Sequence, residues 1–333
     1  MKRLLAIIID GLLGASVGAL IERVIVPALL DTSGAADTSY ALLASGLGAA
    51  IYIIAGLAAK SSIGGVSLGI DTPEGRSLRT VSHLGWLTLS VFIVGGWIIT
   101  AISPIEFFSG DGLAGAGRIF QALITPEFDI IGEAVSAMIV TIFTAFMATV
   151  VAVPISFLLS FPAARNVMSE TPLTKTIYVI LRVILNIMRS MEPIIWAIIF
   201  SVWVGIGPFA GMLALVVHTV ASLTKQYSEQ IEDVNSGPIE AISATGASRI
   251  QVLWFAIVPQ CVIPFLSFTI YRWDINVRMA TIIGFVGGGG IGTLLTQYQG
   301  VAKYNEVGTL VILITAVVWI LDVVSARVRE ALR

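Results

Sequence analysis

Two groups of charged side chains sit inside runs that are otherwise apolar, and arginine dominates both. Arg182, Arg189 and Glu192 fall within or at the end of one run, and Arg272, Asp274 and Arg278 cluster at the outer end of another. A charged residue at the centre of a lipid-spanning helix costs roughly 2.5–3.5 kcal/mol on insertion scales, so each must pair, reach the interface or face water. Arg182 and Arg189 are seven residues apart and share a helix face, with Glu192 three further on. Two readings stay open. In one, Arg189 neutralises Glu192, and Arg272 or Arg278 neutralises Asp274, tying helices together. In the other, the surplus of four arginines over two carboxylates lines the route of an anion, which a planar guanidinium fork grips better than an ammonium. On that second reading Arg189, Glu192, Arg272 and Arg278 are pathway candidates, with Trp196 and Asn276 weaker ones.

Other chemistry is thin. His83 and His218 are too few and too far apart for a metal cage, so no metal site is expected, and the single Cys261 excludes an internal disulfide. His218, on an apolar run, reads as a buried side chain rather than a proton relay. Gly287, Gly289 and Gly292 formally satisfy G-x-G-x-x-G, but that fingerprint needs a strand before it and a helix after it, and here the run lies in a membrane segment. Gly287, Gly288, Gly289, Gly290 and Gly292 instead suit close backbone approach at a gate, or a flexible loop with no gating task. No G-x-x-x-x-G-K-[ST] phosphate loop occurs, so energy for any driven process must come from a partner.

The elements that position these residues are membrane helices. Of 333 residues, 56% are hydrophobic and 12% charged, and the mean hydropathy is +0.94, whereas an average soluble domain is about a quarter charged. Apolar runs long enough to span a bilayer, about 20 residues each, occur at 4–22, 41–59, 81–102, 134–160, 176–200, 207–222, 254–271 and 306–325. That predicts an all-α bundle of eight spans. The stretch 279–295, broken by glycines, reads as a re-entrant piece buried in protein.

Basic residues favour cytoplasmic loops, and the loops alternate accordingly. Lys2 and Arg3; Lys60, Arg76 and Arg79; Arg165 and Lys175; and Arg327, Arg329 and Arg333 mark the inside. The loops 31–40, with Asp31 and Asp37, and 103–130, with Glu106, Asp111, Glu127 and Asp129 against Arg118, mark the outside. Both termini and the polar loop near Glu240 then fall in the cytoplasm. A cleaved signal peptide over the first 20 residues is the alternative for that run, and Asp10 argues against it. Trp86, Trp97, Trp254 and Trp273 near span ends fit interfacial anchors.

The polar stretch Glu240–Pro259, EAISATGASRIQVLWFAIVP, is a helix-turn unit between apolar spans. Asn235-Ser236-Gly237-Pro238 breaks the chain, Ser236 is the expected cap, Pro238 suits a first turn, Glu240 complements the helix dipole and Gly246 can end the helix in a left-handed conformation. On these grounds alone it is an ordinary connecting loop. The pattern, however, resembles the EAA loop of ABC importer permeases, which runs Glu-Ala-Ala, then glycine, then Ile-x-Leu-Pro. Glu240, Ala241, Gly246 and Pro259 match it; Ile242, Ala256 and Val258 depart from it by apolar swaps.

Beyond that loop, RSMEPIIWAIIFSVWVGIGPFAG from Arg189 and YRWDINVRMATIIGFVGGGGIG from Tyr271 also look like permeases of phosphonate-type ABC importers, and the resemblance covers most of 80–333. It implies a polytopic all-α membrane protein with the type I ABC importer permease fold. Residues 1–80 would be accessory amino-terminal helices with a cytoplasmic linker, and 81–333 the permease domain, with a coupling loop at about 225–253. Glu240, Ala241, Gly246, Ala247, Arg249 and Pro259 would couple to the motor. The resemblance further implies a second permease copy in a homodimer, two ABC ATPase subunits holding ATP and Mg, and a periplasmic or lipid-anchored binding protein that delivers phosphonate, phosphite or a related phosphorus oxyanion. The chain itself would be no enzyme, bind no cofactor, contact lipid of the inner membrane and meet no nucleic acid. An ion-coupled secondary transporter is the rival reading, weakened by the lack of an internal repeat, and a non-transporting scaffold is a third.

Overall fold

The computed structural model describes residues 2–27, 38–59, 62–71, 76–168 and 171–332, and every regular element among them is helical. Its contacts divide the chain into two compact units, Met1–Leu113 and Ala114–Arg333. Lys60, Asp31, Asp37, Arg333 and the side chain of Arg76, used above to orient the loops, lie outside the described residues.

The first unit holds α1 (Lys2–Leu20), extended by a π turn over Ile21–Ile25, then α2 (Thr38–Ala59), α3 (Ile63–Ser67), α4 (Arg76–Ile99) and α5 (Pro104–Phe107). In α1 the buried stripe is Ala6, Asp10, Gly14, Val17 and Gly18, the small-residue spacing that lets membrane helices approach closely. A Cβ on Gly14 would collide with the Gly48 backbone of α2. Asp10 is 4% exposed and accepts the Gly64 amide hydrogen bond at 2.8 Å, which satisfies a carboxylate that lipid could not.

Helix α6 (Gly110–Ile124) begins at the end of the first unit and continues into the second. The segment 103–130, expected as an external loop, is therefore largely helical. The second unit is built on α7 (Ile131–Ser160), whose buried residues include Ala134, Met138, Thr141, Ala145, Ala148, Thr149 and Ala152. These small side chains repeat every three or four residues, so one face of α7 is a shallow groove against which α11 (Pro208–Glu232) packs. Between them come α8 (Arg165–Met168), α9 (Pro172–Ser190) and α10 (Pro193–Val204). Thr171 and Thr174 form a capping box at the start of α9.

The expected single span 176–200 is broken. Pro193 disfavours helical geometry at the preceding residue, Glu192 is extended at φ −63°, ψ 144°, and α9 and α10 meet at 90°. The remaining elements are α12 (Ser236–Ala244), α13 (Arg249–Val252), α14 (Val258–Gly284), α15 (Gly290–Gly300) and α16 (Tyr304–Ala331). Helix α14 runs past the expected end at 271, so the stretch 279–295 is the end of a long helix followed by a short one. Six described helices are long and apolar enough to cross a membrane, or seven if the bent pair counts as one span. The eight expected included 41–59, whose described apolar stretch is only Leu43–Leu57.

The two ends of the second unit are distinguishable. At one, Asn305 Nδ2 donates to the Thr125 carbonyl at 2.9 Å and Thr309 Oγ1 to the Glu127 carbonyl at 2.6 Å, joining the start of α16 to the connection before α7. At the other, the Arg165 amide donates to Glu232 Oε1 at 2.7 Å and Asn166 Nδ2 to the Ile231 carbonyl at 2.7 Å. The connections before α9 and α12 therefore share one end of the bundle.

Candidate functional site

The polar stretch folds as α12, a left-handed turn and α13. Asn235, rather than the expected Ser236, caps α12, its Oδ1 accepting the Gly237 amide hydrogen bond at 3.0 Å; the side-chain amide reaches the second helical N–H from one residue further out. Gly246 ends the helix at φ +79°, the conformation its lack of a side chain permits. Ser248 and Gln251 form a second capping box at α13, and a π turn over Leu253–Ile257 leads into α14. None of the nine residues of α12 is buried. The unit is held at its base, where Gln260 Oε1 accepts from the Asn235 amide at 3.1 Å and Ile239 packs against a cluster containing Leu223, Tyr227 and Ile257. Glu240, Ala241 and Arg249 are exposed and Ala247 half-buried. Pro259 stands in the first turn of α14, where its missing N–H costs nothing.

The charged candidates separate into three places. Arg182 does not join Arg189 and Glu192: its Nη2 lies 2.6 Å from Glu232 Oε1, and its Nε donates to the Ala163 carbonyl at 3.0 Å. Arg278 pairs with Asp274 one turn earlier on α14, as one of the two readings required. It borders a cavity with Thr281, Trp319 and Asp322. Arg189 and Arg272 come together in a different cavity of about 450 Å³, lined also by His218, Ser222, Lys225, Gln226 and Glu229. No ion pair joins Arg189 to Glu192 among the described residues, because the bend at Pro193 takes Glu192 off the helix face it was expected to share.

Arg272 is 8% exposed, and its Nε and Nη2 have no hydrogen-bond partner. It lies mid-way along α14 rather than at a span end. Asn276 is fully buried; it accepts from Thr219 Oγ1 at 3.1 Å and donates to Thr149 Oγ1 at 2.9 Å, a tie between α7, α11 and α14. Trp196 is half-buried and stacks on Phe200. Trp273, expected as an interfacial anchor, is half-buried mid-helix against Phe146, while Trp86, Trp97 and Trp254 are exposed.

The glycine run is a tight crossing inside one chain. Gly287, Gly289 and Gly290 all have φ between +71° and +90°. A Cβ on Gly289 would stand 2.6 Å from the Pro208 ring, and one on Gly290 would collide with Thr141. The Ile291 amide donates to Thr141 Oγ1 at 2.8 Å, so α15 is pinned to α7. His218, Lys225, Ser222 and Gln226 were not anticipated as site residues. Their signal was their spacing on the buried face of α11, visible only once that helix extends to Glu232.

Residues 167–333 match the family described as binding-protein-dependent transport system inner membrane component. The chain belongs to that family. This permease is 32% identical over 255 residues to the phosphite transport system permease protein PtxC of Stutzerimonas stutzeri, covering 74% of this chain and 90% of the relative. It is 29% identical over 240 residues to the phosphate-import permease protein PhnE of Mycolicibacterium smegmatis, covering 72% of this chain and 44% of that one. Its fold resembles the inward-facing MetNI methionine ABC transporter, with a TM-score of 0.51 at 23% identity over 61% of this chain and 96% of that one. An amino acid ABC transporter also scores 0.51, at 17% identity. The permease thus has the type I ABC importer fold, and its relatives are transport-system permeases rather than enzymes or ion-coupled carriers.

Proposed function

We propose that this permease forms the translocation path for phosphorus oxyanions, powered by two separate ATPase subunits and supplied by an external binding protein. The observation that carries the ATP-driven part is α12: a capped, glycine-terminated helix carrying Glu240, with no buried residue and with anchors only at its base. An exposed unit capped at both ends is suited to receive a partner. ATP and Mg belong to that partner. The phosphite and phosphate relatives support the substrate class, and the uncompensated arginines of the α9–α11–α14 cavity fit it.

The arrangement of connections supports the membrane orientation. Arg165, Lys175 and α12 share one end of the bundle, which is the cytoplasmic end if basic loops face inward, and α16 then returns the carboxyl terminus to it. A second copy completes the permease pair, and alternation between outward- and inward-open states follows closure and opening of the ATPases.

Proteoliposomes holding the permease, ATPase and binding protein test this directly. Uptake of labelled phosphite or phosphate that needs internal ATP and survives collapse of ion gradients supports it. Uptake that survives ATP depletion and fails with the gradient contradicts it.

A further inference from the structure

The cavity between α9, α11 and α14 carries an inference that rests on the transport reading and sharpens it. We infer that it is a seat for one tetrahedral oxyanion that still bears an O–H, held by Arg272 and Arg189 during passage.

The first reason is charge left without an owner. Arg182 is spent on Glu232 and Arg278 on Asp274, but Arg272, 8% exposed, keeps two guanidinium nitrogens unpartnered beside the cavity. Burying a charged donor with nothing to donate to is expensive. The lining offers three cations, Arg189, Lys225 and Arg272, against the single carboxylate Glu229, which already lies 3.6 Å from Lys225. A small anion supplies the missing counter-charge, and two forks match its oxygens.

The second reason is that the lining is not all donors. His218 Nδ1 is 3.3 Å from the Met191 carbonyl; a carbonyl only accepts, so Nδ1 carries a proton, and in the neutral form of the ring Nε2 is an acceptor. Gln226 Oε1 is a second buried acceptor with no partner. Acceptors beside two arginines recognise an anion that keeps a proton. Phosphate keeps an O–H throughout the neutral range and phosphite keeps one in its monoanion; sulfate and a lipid phosphodiester do not.

The test uses the permease with its ATPase subunits in nanodiscs, with Ser222→Cys as a reporter in the cavity. The native Cys261 is 1% exposed. The readout is the rate of modification by a charged methanethiosulfonate with phosphite, phosphate or sulfate at equal ionic strength. In phosphatidylcholine discs, phosphite and phosphate should slow labelling roughly tenfold once the seat is about nine-tenths filled, and sulfate should not. Arg189→Gln, at an exposed residue, should raise the half-protecting concentration roughly tenfold or more. No protection by phosphite, or equal protection by sulfate, overturns the seat. Labelling already slow without added anion in phosphatidylglycerol discs, and fast in phosphatidylcholine, assigns the cavity to a lipid headgroup and also overturns it. Uptake by the wild-type complex without protection overturns the seat alone; no uptake of any phosphorus oxyanion overturns the transport reading and the seat with it.

Discussion

Glu232 Oε1 accepts two hydrogen bonds at once, from Arg182 Nη2 at 2.6 Å and from the Arg165 amide at 2.7 Å. Three segments, α9, the start of α8 and the end of α11, therefore meet at a single carboxylate four residues before α12 begins. The base of α12 is tied to the membrane helices beside this joint, by Gln260 and by the packing of Ile239.

Arg182→Ala and Glu232→Ala should each destabilise the solubilised permease by about 1–3 kcal/mol, the usual range for a hydrogen bond to a charged group. Because both remove one interaction, the double variant should fall well short of the sum. Thermal unfolding of the three variants measures this; strictly additive effects would show that the pair does not act as a unit.

Asn276→Val removes the shared amide between Thr219 and Thr149 and leaves two hydroxyls buried among α7, α11 and α14. A loss of about 2–4 kcal/mol is expected from two broken buried bonds, read as a lowered unfolding temperature with expression retained. Unchanged stability would mean that the three helices are held by apolar packing alone.

Gly289→Ala forces a side chain into φ +74° and against the Pro208 ring. With ψ at −174° this backbone lies in a region essentially reserved for glycine, which costs another residue about 1–3 kcal/mol, and the clash adds to it. Gly300→Ala, at a position with open space around it, should be neutral or slightly stabilising. Yield and monodispersity on size exclusion separate the two; equal behaviour would show that the α14–α15 turn yields easily.

Membrane class, the order of the long helices and the glycine-terminated polar helix could be read in the sequence because each depends on local composition or a local turn requirement. Pro238 and Gly246 announced their own geometry. The bend at Pro193 was also written locally, yet hydropathy averages over it, so 176–200 read as one straight span. The length of α14 was hidden for the opposite reason: Arg272, Asp274 and Arg278 look like a span end in any transfer scale, and only the Arg278–Asp274 pair and the cavity beside Arg272 let the helix continue through them. Which arginine faced which partner depended on helix packing. Arg182 finds Glu232 fifty residues away, and no spacing rule reaches that far.

On the function proposed above, α12 receives a separate ATP-hydrolysing subunit. The most direct measurement is co-purification of that subunit with the tagged permease, wild type against Glu240→Lys, with unfolding temperature as a control for the fold. Retention of the ATPase by the wild type and its loss, with uptake, in an otherwise stably folded Glu240→Lys variant is the predicted result. Undiminished ATPase retention and uptake in that variant would contradict it.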